Sequence, residues 1–220
     1  MLLATAGAAS ADILVVRSTG PSAATFAPGK RLPEDARIIL KPGDQLTLLD
    51  GRGTRIVRGP GTFTAGAPSA GAPASGPANG RRARIGAVRG TGTQALRPPS
   101  IWHVDVSKSS YVCVANPSRL TLWRGDSASA ISLDIGAPGG RSKRLTWEAG
   151  ASTLEWPSDL RVADGSQYRL SWRGGPAATL LRFRTVPATP AGLEDVAQTL
   201  IRNRCEAQLD LFIETVKLPG

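Results

Sequence analysis

Residues 36–58 read Ala-Arg-Ile-Ile-Leu-Lys-Pro-Gly-Asp-Gln-Leu-Thr-Leu-Leu-Asp-Gly-Arg-Gly-Thr-Arg-Ile-Val-Arg. Three short aliphatic runs, at 36–40, 45–49 and 54–58, are separated by two turn signals. In Lys41-Pro42-Gly43-Asp44 the proline presets φ and the glycine supplies a positive φ. Asp50-Gly51 between alternating apolar residues is the strongest short-range hairpin signal. Runs of this length, closed by Gly and Pro, predict antiparallel strands rather than helices. The same grammar extends outward. Asp12-Ile13-Leu14-Val15-Val16-Arg17 is a β-branched run closed by Ser18-Thr19-Gly20-Pro21. On the other side, Gly59-Pro60-Gly61 turns the chain into Thr62-Phe63-Thr64. Residues 12–64 are therefore expected to form one small β unit.

Residues 65–80 consist of Ala, Gly, Pro, Ser and Asn with no large apolar side chain. Such a stretch cannot bury enough surface to offset its ordering entropy, so 65–99 is expected to be a linker, with one short strand at 85–88. From 100 to 186 the strand signals return at regular spacing: 102–106, 111–114, 120–124, 130–135, 142–147, 152–156, 167–172 and 179–184. Turn residues separate them, which predicts an antiparallel β-sandwich. All five tryptophans fall in this unit.

Residues 187–220 are expected to be helical. Thr189 is placed as N-cap and Pro190 at the first helical position, followed by an acidic first turn. Leu193, Val196, Ala197, Leu200 and Ile201 share one helical face. Arg202-Asn203-Arg204 interrupts the pattern, since Asn tolerates the left-handed conformation, and Leu209, Phe212, Ile213 and Val216 form a second apolar set. Either a helical hairpin or one bent helix follows. The expected fold is thus mainly β: a small β unit, a β-sandwich and a C-terminal helical hairpin.

Leu2-Leu3-Ala4-Thr5-Ala6-Gly7-Ala8-Ala9 followed by Ala9-Ser10-Ala11 matches the apolar region and cleavage site of a secretory signal, so 1–11 is expected to be a signal peptide. The usual basic residues before the apolar region are missing, which would be explained by a start upstream of Met1. No stretch approaches the length of a membrane-spanning helix. A periplasmic or secreted location is expected. In that setting the chain's two cysteines, Cys113 and Cys205, are expected to pair. The chain-entropy model values the roughly 90-residue loop at about 4–5 kcal/mol. A metal pair or a reactive thiol are the competing readings.

The formal net charge of +10 favours anionic partners, although the arginines are scattered and the densest run is Arg81-Arg82-Ala83-Arg84. Trp102, Trp123, Arg124, Trp172 and Arg173 are the candidate binding residues: aromatic faces can stack on sugars, and guanidinium groups take anions. Core packing is the competing role for strand tryptophans, and nucleic acid is not an expected partner. The catalytic inventory is short. His103 is the one histidine, and no phosphate loop or nucleophile elbow is present. No catalytic residue, metal site or cofactor is assigned. Asp105, Glu148, Glu155 and Asp159 are the carboxylates from which a hydrolase would have to be built.

The strand–Pro-Gly-Asp–strand–Asp-Gly–strand pattern, ending in Arg58-Gly-Pro-Gly-Thr-Phe63, resembles the FecR-type periplasmic domain over residues 12–64. That resemblance implies a signalling or scaffold module that binds partner proteins outside the inner membrane. The chain departs from the family in lacking a transmembrane helix and a cytoplasmic anti-sigma region, so it implies no transmembrane relay. Together these readings lead to an exported, non-enzymatic envelope accessory protein that binds another envelope or sensor protein. A basic polyanion- or glycan-binding module and a carboxylate-based hydrolase are the alternatives.

Overall fold

The computed structural model describes residues 12–67, 97–137, 139–140, 142–175, 178–187 and 192–218. The expected signal peptide (1–11), most of the expected linker with its strand at 85–88, and the cap residues Thr189 and Pro190 lie outside the described residues.

The molecule is mainly β. Its first unit contains β1 (Ile13–Thr19), β2 (Arg31–Leu32), β3 (Arg37–Leu40), β4 (Gln45–Asp50), β5 (Gly53–Arg58) and β6 (Gly61–Thr64). Four strands form an antiparallel sheet in the order β2-β1-β4-β5, and β3 pairs with β6. The two-residue β2 was not expected from sequence. The Asp50-Gly51 hairpin forms as expected, with Asp50 opposite Gly53. The Asp50 carboxylate accepts the backbone N–H groups of Arg52 (2.8 Å) and Gly53 (3.3 Å), and the guanidinium of Arg55 at 2.7 Å. Asp44 serves the other turn. Its carboxylate accepts from the backbone N–H of Ser22 (2.8 Å) and of Lys41 (2.5 Å), tying two loops together.

Ile13-Leu14-Val15-Val16 does not alternate with polar residues because β1 is covered on both faces. Ile13 and Val15 join Leu46, Leu48, Ile38, Leu40 and Phe26 in the core of the unit. Leu14, Val16 and Leu49 point the other way, into a second core shared with the helices. Each such fully buried aliphatic side chain stabilises by about 1.5–3 kcal/mol relative to an exposed one.

The second unit contains β7 (His103–Asp105), β8 (Ser110–Val114), β9 (Thr121–Trp123), β10 (Ile131–Gly136), β11 (Ser142–Trp147), β12 (Thr153–Glu155), β13 (Gln167–Ser171) and β14 (Thr179–Thr185). A five-stranded sheet, β11-β10-β13-β14-β8, faces a three-stranded sheet, β12-β9-β7. Val104, Leu120 and Leu122 meet Leu133, Ile135, Leu170, Leu181 and Phe183 between them. Trp156, Tyr168 and Phe183 pack edge to face at 4.9–5.9 Å. Most pairs are antiparallel. Two are parallel, β8 with β14 and β7 with β9, which strand periodicity alone does not signal.

Of the two helical alternatives, the chain forms a pair: α1 (Leu193–Arg202) and α2 (Glu206–Thr215). Helix α1 begins at Leu193 after Gly192, with Glu194 and Asp195 in its first turn, where the helix dipole favours acids. Arg204, not Asn203, takes the left-handed conformation at the joint (φ 59°). The pair lies between the two β units. Leu200, Leu209, Phe212 and Ile213 bury Leu14, Val16 and Leu49 of the first sheet together with Cys113 and Val186 of the second. After α2 the chain bridges to β5: Thr54 N–H donates to Val216 O (2.9 Å) and Leu218 N–H to Thr54 O (3.0 Å). No described helix is long and apolar enough to cross a membrane.

Candidate functional site

Cys113 on β8 and Cys205 at the helix joint form a disulfide, with Cα atoms 5.8 Å apart and a sequence separation of 92. Neither cysteine is free, which removes the metal-pair and reactive-thiol readings. The bridge holds α2 against β8, the edge strand of the five-stranded sheet.

That edge is treated in two ways along its length. Parallel ladders direct alternate residues' backbone groups to opposite sides. Val114 O accepts from Val186 N–H, so Val112 and Ser110 share its direction, toward β14. Cys113 and Tyr111 therefore present their N–H and C=O groups outward. At Cys113 a side chain replaces the missing strand. Gln208 Oε1 accepts the Cys113 N–H (2.6 Å), while its Nε2 donates to Cys113 O (2.9 Å) and to Ile101 O (2.8 Å). Gln208 is buried, so this amide satisfies groups that water does not reach. At Tyr111, two residues earlier, no described residue plays that part.

That stretch faces a cleft of about 750 Å³ between α2 and the edge strands β7 and β8 of the two sheets, lined among others by Tyr111, Val104, Val112, Trp123, Arg182 and Arg204. A second cavity of about 640 Å³ joins Tyr111 to Arg184, Arg202 and Arg204. The register places Arg182 beside Tyr111 and Arg184 beside Cys113, so all four side chains share one face. Both guanidinium groups lie over the Tyr111 ring, at 5.6 and 5.5 Å from its centroid. Arg184 is also 3.8 Å from the Asp164 carboxylate. Among the described residues, Arg182, Arg202, Arg204 and Lys108 pair with no carboxylate. The cleft does contain acids. Asp210 pairs with Arg17 and Glu214 with Arg97 at 3.6 Å; Asp105 accepts from Ser107 N–H and Oγ; Glu206 opens α2. The large cleft is balanced, with Arg97, Lys108, Arg182 and Arg204 against these four acids; the positive excess lies at the helix joint, where Arg184, Arg202 and Arg204 face Asp164 alone.

The candidate binding residues chosen from sequence do not assemble into a platform. None of the five tryptophans is exposed. Trp123 and Arg124 are buried at 6% and 5% exposure. Arg124 is a core group: its guanidinium donates to Ala151 O (3.1 Å), Ser129 O (3.0 Å) and Glu148 O (2.7 Å), and it lies 4.9 Å from the Trp147 ring centroid. Trp102 packs half-buried against the helical core, and Trp172 half-buried against the sandwich core. Arg173 is exposed in the turn after β13. The competing packing role holds for these tryptophans because each is large enough to fill an inter-sheet layer.

The four carboxylates weighed for hydrolysis are also separated. Only Asp105 lines the cleft. Asp159 pairs with Lys143 at 2.6 Å, and that hydrogen bond holds its carboxyl below the usual range, outweighing desolvation. Glu148 and Glu155 are exposed. No group of three or more His, Cys, Asp or Glu that could hold a metal occurs among the described residues. His103 lines the cleft half-buried, with an unpartnered Nδ1.

The residues that do converge, Tyr111, Arg182, Arg184, Arg202 and Arg204, were not singled out from sequence. One signal was present. In Thr179-Leu-Leu-Arg-Phe-Arg184 the alternation puts both arginines on the face opposite Leu181 and Phe183. What brings Tyr111 beside them is the parallel pairing of β8 with β14. No protein-family model matches the chain, and no curated protein is similar to it.

Proposed function

We propose that this chain is an exported, non-enzymatic envelope accessory protein that binds another envelope or sensor protein through the cleft beside β8. The observation that carries this reading is the backbone edge at Tyr111, which no described residue fills, set among arginines and held by the Cys113–Cys205 bridge. An open strand edge adds a partner's strand through main-chain bonds, and flanking side chains select which strand. Native proteins cover or charge such edges to avoid misassociation. Here the remainder of the edge is capped by Gln208 and a short stretch is left open, which suits controlled pairing. A buried disulfide supports an oxidising compartment, periplasmic or extracellular. The FecR-type resemblance of residues 12–64 agrees with a partner-binding role.

The test is site-specific photo-crosslinking in the native host, with a photoreactive residue in place of Lys108 at the cleft or of Arg58 on the far unit. The reading requires a crosslinked envelope protein from position 108 and none from position 58. Equal products from both positions, or none from 108, would sink it.

A second reading rests on a separate observation. Arg169, Arg182 and Arg184 project from one face of the five-stranded sheet toward the arginines of the helix joint. Such a strip could hold an anionic glycan or lipopolysaccharide. Heparin binding that falls steeply with salt, and is lost in Arg169→Glu, would favour it.

A further inference from the structure

We infer that the segment taken by β8 is a short extended peptide with a carboxylate at the residue facing Tyr111, a conclusion that rests on the protein-binding reading. A strand laid beside β8 would bond to the N–H and C=O of Tyr111. Side chains at paired positions of neighbouring strands stand on the same face, and alternate residues return to it. The face in question carries Tyr111, Arg182 and Arg184. Both guanidinium groups lean across the Tyr111 ring, which carries their charge toward the open edge. Arg204 lines the cleft on the helix side. An incoming residue facing Tyr111 would therefore meet the charge of Arg182 and Arg184, while α2 lines the far side of the cleft with Glu206, Asp210 and Glu214; carboxylates match guanidinium donors in charge and geometry. The intervening residues would turn to the opposite side, where Val104, Val112 and Trp123 line the same cleft. Those three side chains are buried and present little surface, so recognition centres on the acidic residue facing Tyr111. The added strand is short. Gln208 already occupies the backbone groups of Cys113, so pairing stops after Tyr111. The backbone of Tyr111, which no described residue partners, favours a protein strand over a polysaccharide, which cannot continue a β-ladder.

A random hexapeptide display library, selected on the full oxidised chain and counter-selected on Arg182→Glu/Arg204→Glu, tests this directly. Enriched peptides should share an Asp or Glu flanked by residues that tolerate an extended backbone. A synthetic peptide of the enriched sequence should bind the double variant at least ~10-fold more weakly. N-methylation of its central amide, which deletes a main-chain bond without changing charge, should weaken binding by a similar ~10-fold. Arg182→Ala/Arg204→Ala, checked for an intact disulfide and an unchanged circular dichroism spectrum, should shift affinity the same way. No enrichment over the counter-target, enrichment of apolar or basic sequences, or indifference to N-methylation would overturn the inference. Heparin binding without peptide enrichment would assign the arginines to a polyanion. If the selection fails while crosslinking from position 108 still captures an envelope protein, only the acidic-strand inference is lost. If both fail, the binding reading falls with it.

Discussion

Replacing Gln208 should cost far more than its position on a helix surface suggests. Its amide makes three hydrogen bonds to backbone groups of β8 and the loop before β7, at 2.6, 2.9 and 2.8 Å. A typical internal hydrogen bond contributes about 1 kcal/mol net, and an abandoned buried partner costs about 1–3 kcal/mol. Gln208→Leu keeps the apolar volume and removes every bond, leaving the Cys113 N–H and two carbonyls without partners. A loss of about 3 kcal/mol is expected on the basis of about 1 kcal/mol per bond. Urea unfolding followed by tryptophan fluorescence is the assay, since all five tryptophans report on residues 100–186. With a slope near the upper end of the usual range, about 3 kcal/mol/M, the midpoint should fall by about 1 M. Gln208→Glu sharpens the test. It keeps an acceptor for Cys113 N–H but turns an oxygen toward two carbonyls, so at neutral pH it should destabilise more than Leu. Part of that extra loss should return as pH falls and the carboxyl gains a proton to donate. A Gln208→Leu protein within about 0.5 kcal/mol of wild type, at unchanged slope, would refute the edge-capping role, because that is the lower bound for even one bond.

The Cys113→Ala/Cys205→Ala variant should lose about 4–5 kcal/mol by the loop-entropy model, read as a lowered denaturation midpoint that reductant no longer changes. Arg124→Ala strips three backbone carbonyls of a charged donor and uncovers Trp147, so it should lose about 3–5 kcal/mol; Arg124→Lys, with a single point of donation, should recover only a minor part. At Asp44, burial opposes ionisation, but the Ser22 and Lys41 hydrogen bonds and the Lys41 charge outweigh it and hold the carboxyl below the usual range. A folded-state value below the unfolded one means that the contribution is complete above about pH 4 and is lost as pH falls through the folded value. Thermal melts between pH 2 and 5 should therefore show a steeper acid decline for wild type than for Asp44→Asn, and parallel curves would contradict this account.

The charge balance at the cleft depends on which arginines find acids, and that cannot be counted from composition. Asp210 and Glu214 come from α2, yet their partners Arg17 and Arg97 lie more than a hundred residues away in sequence. Among the described residues Arg182 and Arg204 pair with no carboxylate, while Asp210 and Glu214 of the same cleft are paired with Arg17 and Arg97. The same holds for Arg124. In sequence it resembles any other Trp-Arg pair, and only the closing of 127–151 around it supplies three carbonyls.

Local chemistry in the chain was enough for most of the strands and turns and for the place of the break between the helices, because each rests on interactions within a few residues; it missed the two-residue β2 and the residue that takes the left-handed conformation. Pro-Gly-Asp and Asp-Gly set backbone torsions by themselves, apolar alternation marks which side of a strand meets a core, and two cysteines leave one possible intramolecular pair. Tertiary structure decided what those elements do together. Whether β8 runs parallel or antiparallel to its neighbour turns on where a connection of tens of residues returns, and no local propensity encodes that path. That direction sets Tyr111 beside Arg182 and turns its backbone groups outward, where no described residue pairs with them. The dense apolar run at 13–16 is likewise explained only when the helices arrive to cover the second face of β1. The cleft beside β8 is lined by residues of β7, β8, β14, the helix joint and α2, and the disulfide and Gln208 hold β8 and α2 together at its side.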